Sequence, residues 1–265
     1  MNLNNKTLLI TGGTGSFGKN FTQYLLNNHP ELKKIIIFSR DELKQYEMKK
    51  KYTKNKFFHK LRFFLGDIRD SARLMMAFNG VDIIIHAAAL KQVDTAEYNP
   101  TEFIKTNIIG GQNIIEAAFY NNVSKVIALS TDKASSPVNL YGATKLCSDK
   151  LFISANHFLG KKKFSIVRYG NVAGSRGSVM PFFLSRKDKN SIDITNKNMT
   201  RFNISLKDSI NLIMWTIKNS FGGEIIVPKI PSYRIIDLAK AVNDKAKINI
   251  IGIRAGEKIH EEMIS

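Results

Sequence analysis

The sequence predicts an α/β protein, a Rossmann-like doubly wound parallel sheet with a small C-terminal substrate-binding lobe. Short runs rich in Ile, Val and Phe recur along the first two-thirds of the chain and end in Gly, Asp or Ser. Segments with helical spacing lie between them. The first apolar run passes directly into a glycine-rich turn that opens a helix.

Strands are expected at 7–10, 34–38, 61–65, 82–86, 125–130 and 164–168. Each has few polar alternations, as strands buried on both faces of a parallel sheet do. Helices are expected at 17–27, 42–52, 72–78, 100–121 and 141–158, and the repeated strand–helix order implies right-handed crossovers. After Gly170 the rhythm changes. Residues 170–177 form a long glycine-rich connection, followed by a helix at 205–219, a strand at 223–227 and a helix at 235–242. This gives a dinucleotide-binding domain at 1–170 and a mainly substrate-binding lobe at 171–265 that closes over the crevice beyond the strand ends.

Composition narrows the classes. With 43% hydrophobic and 10% aromatic residues in 265, the chain is too apolar for disorder. One cysteine, Cys147, cannot build an internal disulfide, which fits a reducing, cytoplasmic setting. It is expected as a buried small hydrophobe on a helix. No apolar run approaches the ~20 residues of a membrane span, and the first strand runs into glycines rather than a leader's apolar core. The net charge of +18 favours anionic ligands, but 30 of the 40 cations are Lys spread along the chain. Only 44–62 and 161–163 are dense. No basic stripe with interleaved aromatics appears, so nucleic acid is not an expected partner.

The first turn reads Thr11-Gly12-Gly13-Thr14-Gly15-Ser16-Phe17-Gly18. Gly12, Gly15 and Gly18 allow a tight turn, backbone approach to a pyrophosphate and close helix–sheet packing. The helix start supplies N–H donors. The second strand ends in Ser39-Arg40-Asp41-Glu42-Leu43-Lys44. Arg40 and Lys44 suit a 2′-phosphate and favour NADP, whereas Asp41 leaves NAD open. Asp67 and Ile68 after the third strand are placed at an adenine edge and face. Ala87, Ala88 and Ala89 after the fourth are small enough for a cofactor to pass. His86 reads as packed or cofactor-facing rather than a metal ligand, and no residue set has zinc spacing.

Tyr141-Gly142-Ala143-Thr144-Lys145 places a phenol and an ammonium one helical turn apart on one face. A nearby Lys and a nicotinamide charge are expected to lower the phenol's pKa towards that of a working base. Asp132 and Lys133 precede the pair in the same stretch.

These residues resemble the extended short-chain dehydrogenase/reductase superfamily. More narrowly, the chain is similar to the inverting UDP-N-acetylglucosamine 4,6-dehydratases of bacterial pseudaminic-acid and flagellar-glycan pathways. The matching stretches are LLITGGTGSFGKN, FSRDELKQYEM, GDIRD, HAAALKQVDTAEYNP, KTNIIGGQNIIEAA, VIALSTDKASSPVNLYGATKLCSDKLF, RYGNVAGSRGSVMPFF, MTRF and IGIRAGEKIHEEMI. The resemblance implies NADP, a UDP-sugar substrate and a homo-oligomer, a hexamer among the forms. It gives Tyr141 the sugar 4-hydroxyl proton, Lys133 the C5 proton and Asp132 the departing 6-hydroxyl. Retaining relatives carry Asp-Glu where this chain has Asp132-Lys133.

The same resemblance assigns Lys91, Thr131, Asn171, Arg176, Ser178, Val179, Arg201 and Arg254 to substrate binding. Lys91 is shared with the cofactor, and Asn107 stands beside the catalytic helix as a cofactor-side or structural residue. Departures are a short 184–193 segment, Asn203 where an aromatic is expected, and an end soon after His260, implying a short or truncated version. A UDP-sugar 4-epimerase would share Tyr141 and Lys145 without needing Asp132-Lys133. An idle NADP-binding scaffold would bind without turnover.

Overall fold

The computed structural model describes residues 2–158, 163–175 and 178–265. The chain opens with β1 (Thr7–Thr11), α1 (Ser16–Asn28), β2 (Lys34–Ser39), α2 (Glu42–Tyr52), β3 (Leu61–Leu65), α3 (Ser71–Ala77) and β4 (Ile83–His86). It continues through α4 (Val93–Tyr98), α5 (Pro100–Phe103), a π-helical segment (Ile104–Ile109), α6 (Gly110–Tyr120), β5 (Lys125–Thr131), a 3-10 turn (Asp132–Ala134), α7 (Leu140–Phe158) and β6 (Phe164–Tyr169). The remainder holds β7 (Asn171–Val172), α8 (Val179–Leu184), β8 (Ser191–Ile194), β9 (Thr200–Ile204), α9 (Leu206–Asn219), β10 (Ile225–Ile226), β11 (Ser232–Arg234), α10 (Ile235–Val242) and β12 (Lys247–Ile250).

Seven strands form one sheet in the order β10-β6-β5-β4-β1-β2-β3. Every pairing in it is parallel. The strand residues explain why both faces are covered. Leu8, Ile10, Ile35, Ile37, Ile83, Ile85, Ile127 and Val167 point into one apolar cluster. Their neighbours Leu9, Ile36, Phe38, Ile84, Val126, Ala128 and Ile166 point into the other. The period of two is apolar on both phases, as a doubly covered sheet requires. The order reverses between β1 and β4, which is where such sheets bind ligands beyond their carboxyl ends.

Helix α9 and strand β10, read from the sequence as part of the late lobe, attach to the large sheet. Ile210, Ile213, Met214 and Ile217 of α9 join the cluster that holds α1, and β10 pairs with β6. Lys125 on β5 donates to the carbonyls of Ile217 (2.9 Å) and Ser220 (2.8 Å) at the end of α9, where a cation suits the helix dipole. The smaller lobe is built around Phe183, Ile192, Ile194, Met199, Ile235 and Ala239. Its sheets are β11-β9-β7 and β12-β8. The glycine-rich connection read at 170–177 thus includes a strand, β7, paired with β9.

Two further details depart from the sequence reading. The helix expected at 100–121 contains the π segment, whose wider turn buries Thr106 and Asn107; such segments collect at functional sites. Cys147 is exposed. The buried face of α7 carries positions 141, 145, 148, 149 and 152, and residue 147 lies two steps from Lys145, outside that stripe. Among the described residues, no helix is long and apolar enough to cross a membrane.

Phe152 of α7 is fully buried between His86 (ring centroids 5.5 Å) and Phe164 (6.1 Å). Phe152→Ala should cost about 3–5 kcal/mol in urea unfolding, the range for deleting a core aromatic. An unchanged midpoint would contradict the packing described.

Candidate active site

The turn after β1 places Gly12, Thr14, Gly15, Ser16, Phe17 and Gly18 at the switch point. Gly12 has a φ of 66°, and a Cβ there would meet the Ala88 backbone nitrogen at 2.8 Å. Glycine therefore lets the chain after β4 cross the turn directly. The Ala88 amide also reaches the Thr11 hydroxyl at 3.3 Å. Gly15 is the N-cap of α1, with no side-chain cap and no acidic residue in the first turn. Helices α2, α3 and α9 are capped by Asp41, Asp70 and Ser205, and α4, α5 and α10, uncapped like α1, carry an acid in the first turn. A helix start left without a built-in acceptor fits the pyrophosphate of a dinucleotide.

Around that turn, Ser39 is buried at the end of β2 and its hydroxyl accepts from Gln45. Arg40 is half-exposed and lies 3.5 Å from Asp67. Lys44 pairs with Asp41. Asp67 is held chiefly by Arg69, through its amide (3.0 Å) and guanidinium (2.9 and 2.7 Å). Ile68 is buried in the core cluster, and its carbonyl accepts from Asn113. Ala87 and Ala88 line the crossing chain and Ala89 is exposed. Asn107 clamps Leu90 at both its amide and its carbonyl (2.9 Å each) and donates to Thr144.

The chemical groups converge beyond β5. Thr131 caps the 3-10 turn, and its hydroxyl donates to Asp132 Oδ1 at 2.9 Å. The Lys133 ammonium donates to the same oxygen at 3.1 Å, while Asp132 Oδ2 is buried without a hydrogen-bond partner. Helix α7 lies against this turn. A Cβ at Gly142 would come within 2.2 Å of the Lys133 carbonyl oxygen, so only glycine permits the approach. Tyr141 and Lys145, one turn apart on α7, are both buried. The Lys145 ammonium donates to the Leu129 carbonyl at 2.8 Å.

The lowering expected for the phenol counts a nicotinamide charge; the chain's own groups, taken alone, act the other way. Burial pushes Tyr141 up, the charges of Asp132, Asp149 and Glu261 add to that, and a hydrogen bond with Thr131 works the other way. Burial also holds Lys145 below the ordinary lysine value, opposed by Asp149. Burial lowers Lys91 as well, with the Lys133 charge second. His86 is driven down to about 3 by burial, then by Lys145. It is packed, sharing a 2.8 Å hydrogen bond with Thr11.

Of the remaining predicted residues, Asn171 lies on β7. Ser178 caps α8 with its hydroxyl buried and without a hydrogen-bond partner, and Val179 packs on the small-lobe core. Arg201 is nearly buried and donates to the carbonyls of Thr200 (2.7 Å) and Ile259 (3.2 Å). Arg254 is exposed and 3.6 Å from Asp94. Arg176 lies outside the described residues.

The sequence reading did not single out two groups. Asp149 accepts from Ser130 (2.7 Å) and pairs with Arg168 (3.1 Å), all three buried. Its spacing, four residues after Lys145 and eight after Tyr141, was the available signal. Glu261, from the coil after β12, is buried beside Lys133 at 3.4 Å and Lys258 at 3.8 Å. Nothing in its own stretch, which also holds Glu257, Lys258, His260 and Glu262, set it apart.

With this geometry in view, the polysaccharide biosynthesis protein family matches residues 8–265. The chain belongs to that family. Within its reach is a UDP-N-acetylglucosamine 4,6-dehydratase (inverting) from Campylobacter jejuni subsp. jejuni serotype O:23/36 (strain 81-176). It is 56% identical over 266 residues, covering 99% of this chain and 78% of the relative. A UDP-glucose 4-epimerase from Rickettsia bellii (strain RML369-C) is 45% identical over 269 residues, covering 98% and 78%. The crystal structure of Pen from Bacillus thuringiensis superposes with a TM-score of 0.93 at 37% identity, covering 100% and 82%. DesIV, a dTDP-glucose 4,6-dehydratase from Streptomyces venezuelae solved with NAD, shares the fold at a TM-score of 0.86 and 23% identity, covering 97% and 88%.

Burial tends to raise the Asp67 carboxyl, but the Arg69 hydrogen bonds and the charges of Arg40 and Arg69 hold it below its ordinary value of 3.8. A depressed carboxylate contributes stability that is present above its unfolded pKa and lost as pH falls through the folded one. Asp67→Asn should therefore cost about 1 kcal/mol at pH 7. The gap to the parent protein should close as urea melts are taken below the ordinary Asp value. A gap that persists in acid would mean the loss is not electrostatic.

Proposed function

We propose that this chain removes water from UDP-N-acetylglucosamine, giving a 4-keto-6-deoxy sugar nucleotide with inversion at C5, and uses NADP to do so. The observation that carries this reading is the Asp132–Lys133 turn locked against the Tyr141 helix at Gly142. It holds an acid with one buried, unpartnered oxygen beside an amine and a phenol. A simple 4-epimerase needs the phenol but not the other two. In this reading residues 1–170 serve mainly the cofactor and 171–265 mainly the sugar nucleotide.

A nicotinamide dinucleotide held at the turn of Gly12, Gly15 and Gly18 would supply a reversible two-electron hydride acceptor for C4 and C6, so none would be consumed. The residues of the chain do the proton work. Tyr141 takes the proton of the 4-hydroxyl through its phenol oxygen. A buried phenol surrounded by carboxylates is a strong base once ionised, and the Thr131 hydrogen bond favours that form. The 4-ketone acidifies C5–H, and Lys133, as the neutral amine, removes that proton. Asp132, protonated at Oδ2, hands that proton to the leaving 6-hydroxyl and water departs. Once C6 is reduced, a proton enters C5 from the face opposite Lys133 and the configuration there is inverted. Arg201 and Arg254 are assigned to the diphosphate, where a guanidinium can bind two oxygens at once.

Incubation with UDP-N-acetylglucosamine in deuterated water should yield a dehydrated product carrying deuterium at C5. A C4 epimer without loss of water would favour the epimerase reading instead. Lys133→Ala should keep NADP affinity and lower elimination about a hundredfold or more, the lower end for a general base. Turnover near that of the parent protein would remove Lys133 from the reaction.

Arg40 carries the cofactor assignment. Arg40→Ala should weaken NADP by about tenfold or more, as loss of a charged hydrogen bond does, and change NAD by less than about threefold. Calorimetric titration of both nucleotides measures this. An equal loss for both would place the 2′-phosphate elsewhere.

A further inference from the structure

The coil after β12 folds back over the catalytic turn and is fastened there at several points. The Gly256 carbonyl accepts from Asn139 (2.8 Å), and the Lys258 ammonium donates to the Ser135 carbonyl (2.8 Å). The Ile259 carbonyl accepts from the Thr200 amide (3.0 Å). Glu262 accepts from Ser136 (2.8 Å), and the Met263 carbonyl from Arg168 (3.2 Å). Through these contacts Glu261 is inserted where its neighbours are exposed or half-buried. Its side chain is 4% exposed. One oxygen faces Lys133 at 3.4 Å, the other faces Lys258 at 3.8 Å and has no hydrogen-bond partner.

A carboxylate is costly to bury unless something needs it there. Lys258 is already anchored on a carbonyl, so Glu261 is not required to satisfy it. Lys133 lies between two carboxylates, Asp132 on its own turn and Glu261 from the coil. With Asp132 alone the ammonium would swing about a single contact. With both, its position is fixed from two sides.

We propose that Glu261 is a positioning residue for the reaction, holding the Lys133 side chain on the C5 face of the sugar. The inference rests on Lys133 being the C5 base. The charged and titratable groups around Lys133 are Asp132, Glu261, Lys91 and, through Glu261, Lys258 and Tyr141. Asp132 and Glu261 hold the Lys133 ammonium from two sides, so losing Glu261 should slow the C5 step and leave C4 oxidation alone, which makes the role measurable apart from folding.

The test uses the full chain with NADP and UDP-N-acetylglucosamine, comparing Glu261→Gln, Glu261→Asp and Lys133→Ala. Steady-state rates are taken across pH, C5 deuterium uptake is followed by NMR, and reduced cofactor is followed by absorbance. In Glu261→Gln the pH-independent kcat should fall about tenfold or more while KM changes by less than about threefold, the pattern of a lost transition-state interaction. Reduced cofactor should accumulate transiently, since C4 oxidation is left intact and C5 deprotonation is slowed. Glu261→Asp, which keeps the carboxylate on a shorter stem, should recover part of the rate that Glu261→Gln loses.

A fall in rate without build-up of reduced cofactor would mean Glu261 only braces the fold and would overturn the inference. So would parent-like kinetics in Glu261→Gln when Lys133→Ala is inactive, a result that leaves the reading of Lys133 standing. C5 exchange that survives in Lys133→Ala would overturn both. If Glu261→Gln does not fold, Glu261→Asp decides: a parent-like plateau would count against the inference.

Discussion

Helix α7 approaches the turn after β5 so closely that the Lys133 carbonyl oxygen occupies the space a Cβ at residue 142 would need. That contact sets the distance between two pieces of chain with different origins. The turn inherits its position from β5, in the middle of the parallel sheet. The helix inherits its position from Phe152 and its neighbours on the sheet's second face. Because both supports are rigid, the phenol, amine and carboxyl arrive at one place without any loop having to find it. A methyl group at residue 142 would push helix and turn apart by a substantial fraction of its own diameter.

Much of this was readable because it is local. Both phases of β1, β2 and β4 are apolar through the middle of each strand, and that pattern requires a sheet covered on both sides. The Gly12–Gly18 spacing after a strand specifies the first turn. Tyr141 and Lys145 share a face because helical spacing puts them there. What escaped the reading depends on distant chain. Strands of two to five residues such as β7, β9 and β11 pair across long intervals and carry little periodicity. The π segment around Asn107 follows from the need to reach Leu90, which no helical pattern encodes. Cys147 was misplaced because its residue type, rather than its angle on the helix, was given the weight.

The phenol illustrates the same division. From the sequence, the group one turn away is Lys145, and a cation nearby should acidify a phenol. In the folded chain Lys145 is turned to the Leu129 carbonyl, and the groups that act on Tyr141 are burial and the charges of Asp132, Asp149 and Glu261. Asp149 is on the same helix. Glu261 is 120 positions away. Electrostatics at a site sums over everything the fold brings near, so the neighbour in sequence need not decide it, and here burial comes first.

The buried charges beneath the site are best understood as a frame. Asp149 takes a hydrogen bond from Ser130 and an ion pair from Arg168, and Arg168 reaches on to the Met263 carbonyl. Ser130 belongs to β5, Asp149 to α7, Arg168 to β6 and Met263 to the final coil. Apolar residues could fill this volume at equal or lower free energy, since desolvating charges offsets much of their attraction. What apolar residues could not do is specify direction. Each hydrogen bond here joins a different element, so a shift of any one leaves a buried charge unsatisfied, at a cost larger than any single contact returns. The network therefore ties the coil that carries Glu261 to the strand that carries the Asp132–Lys133 turn, and the position of the Lys133 amine is set by the agreement of the two.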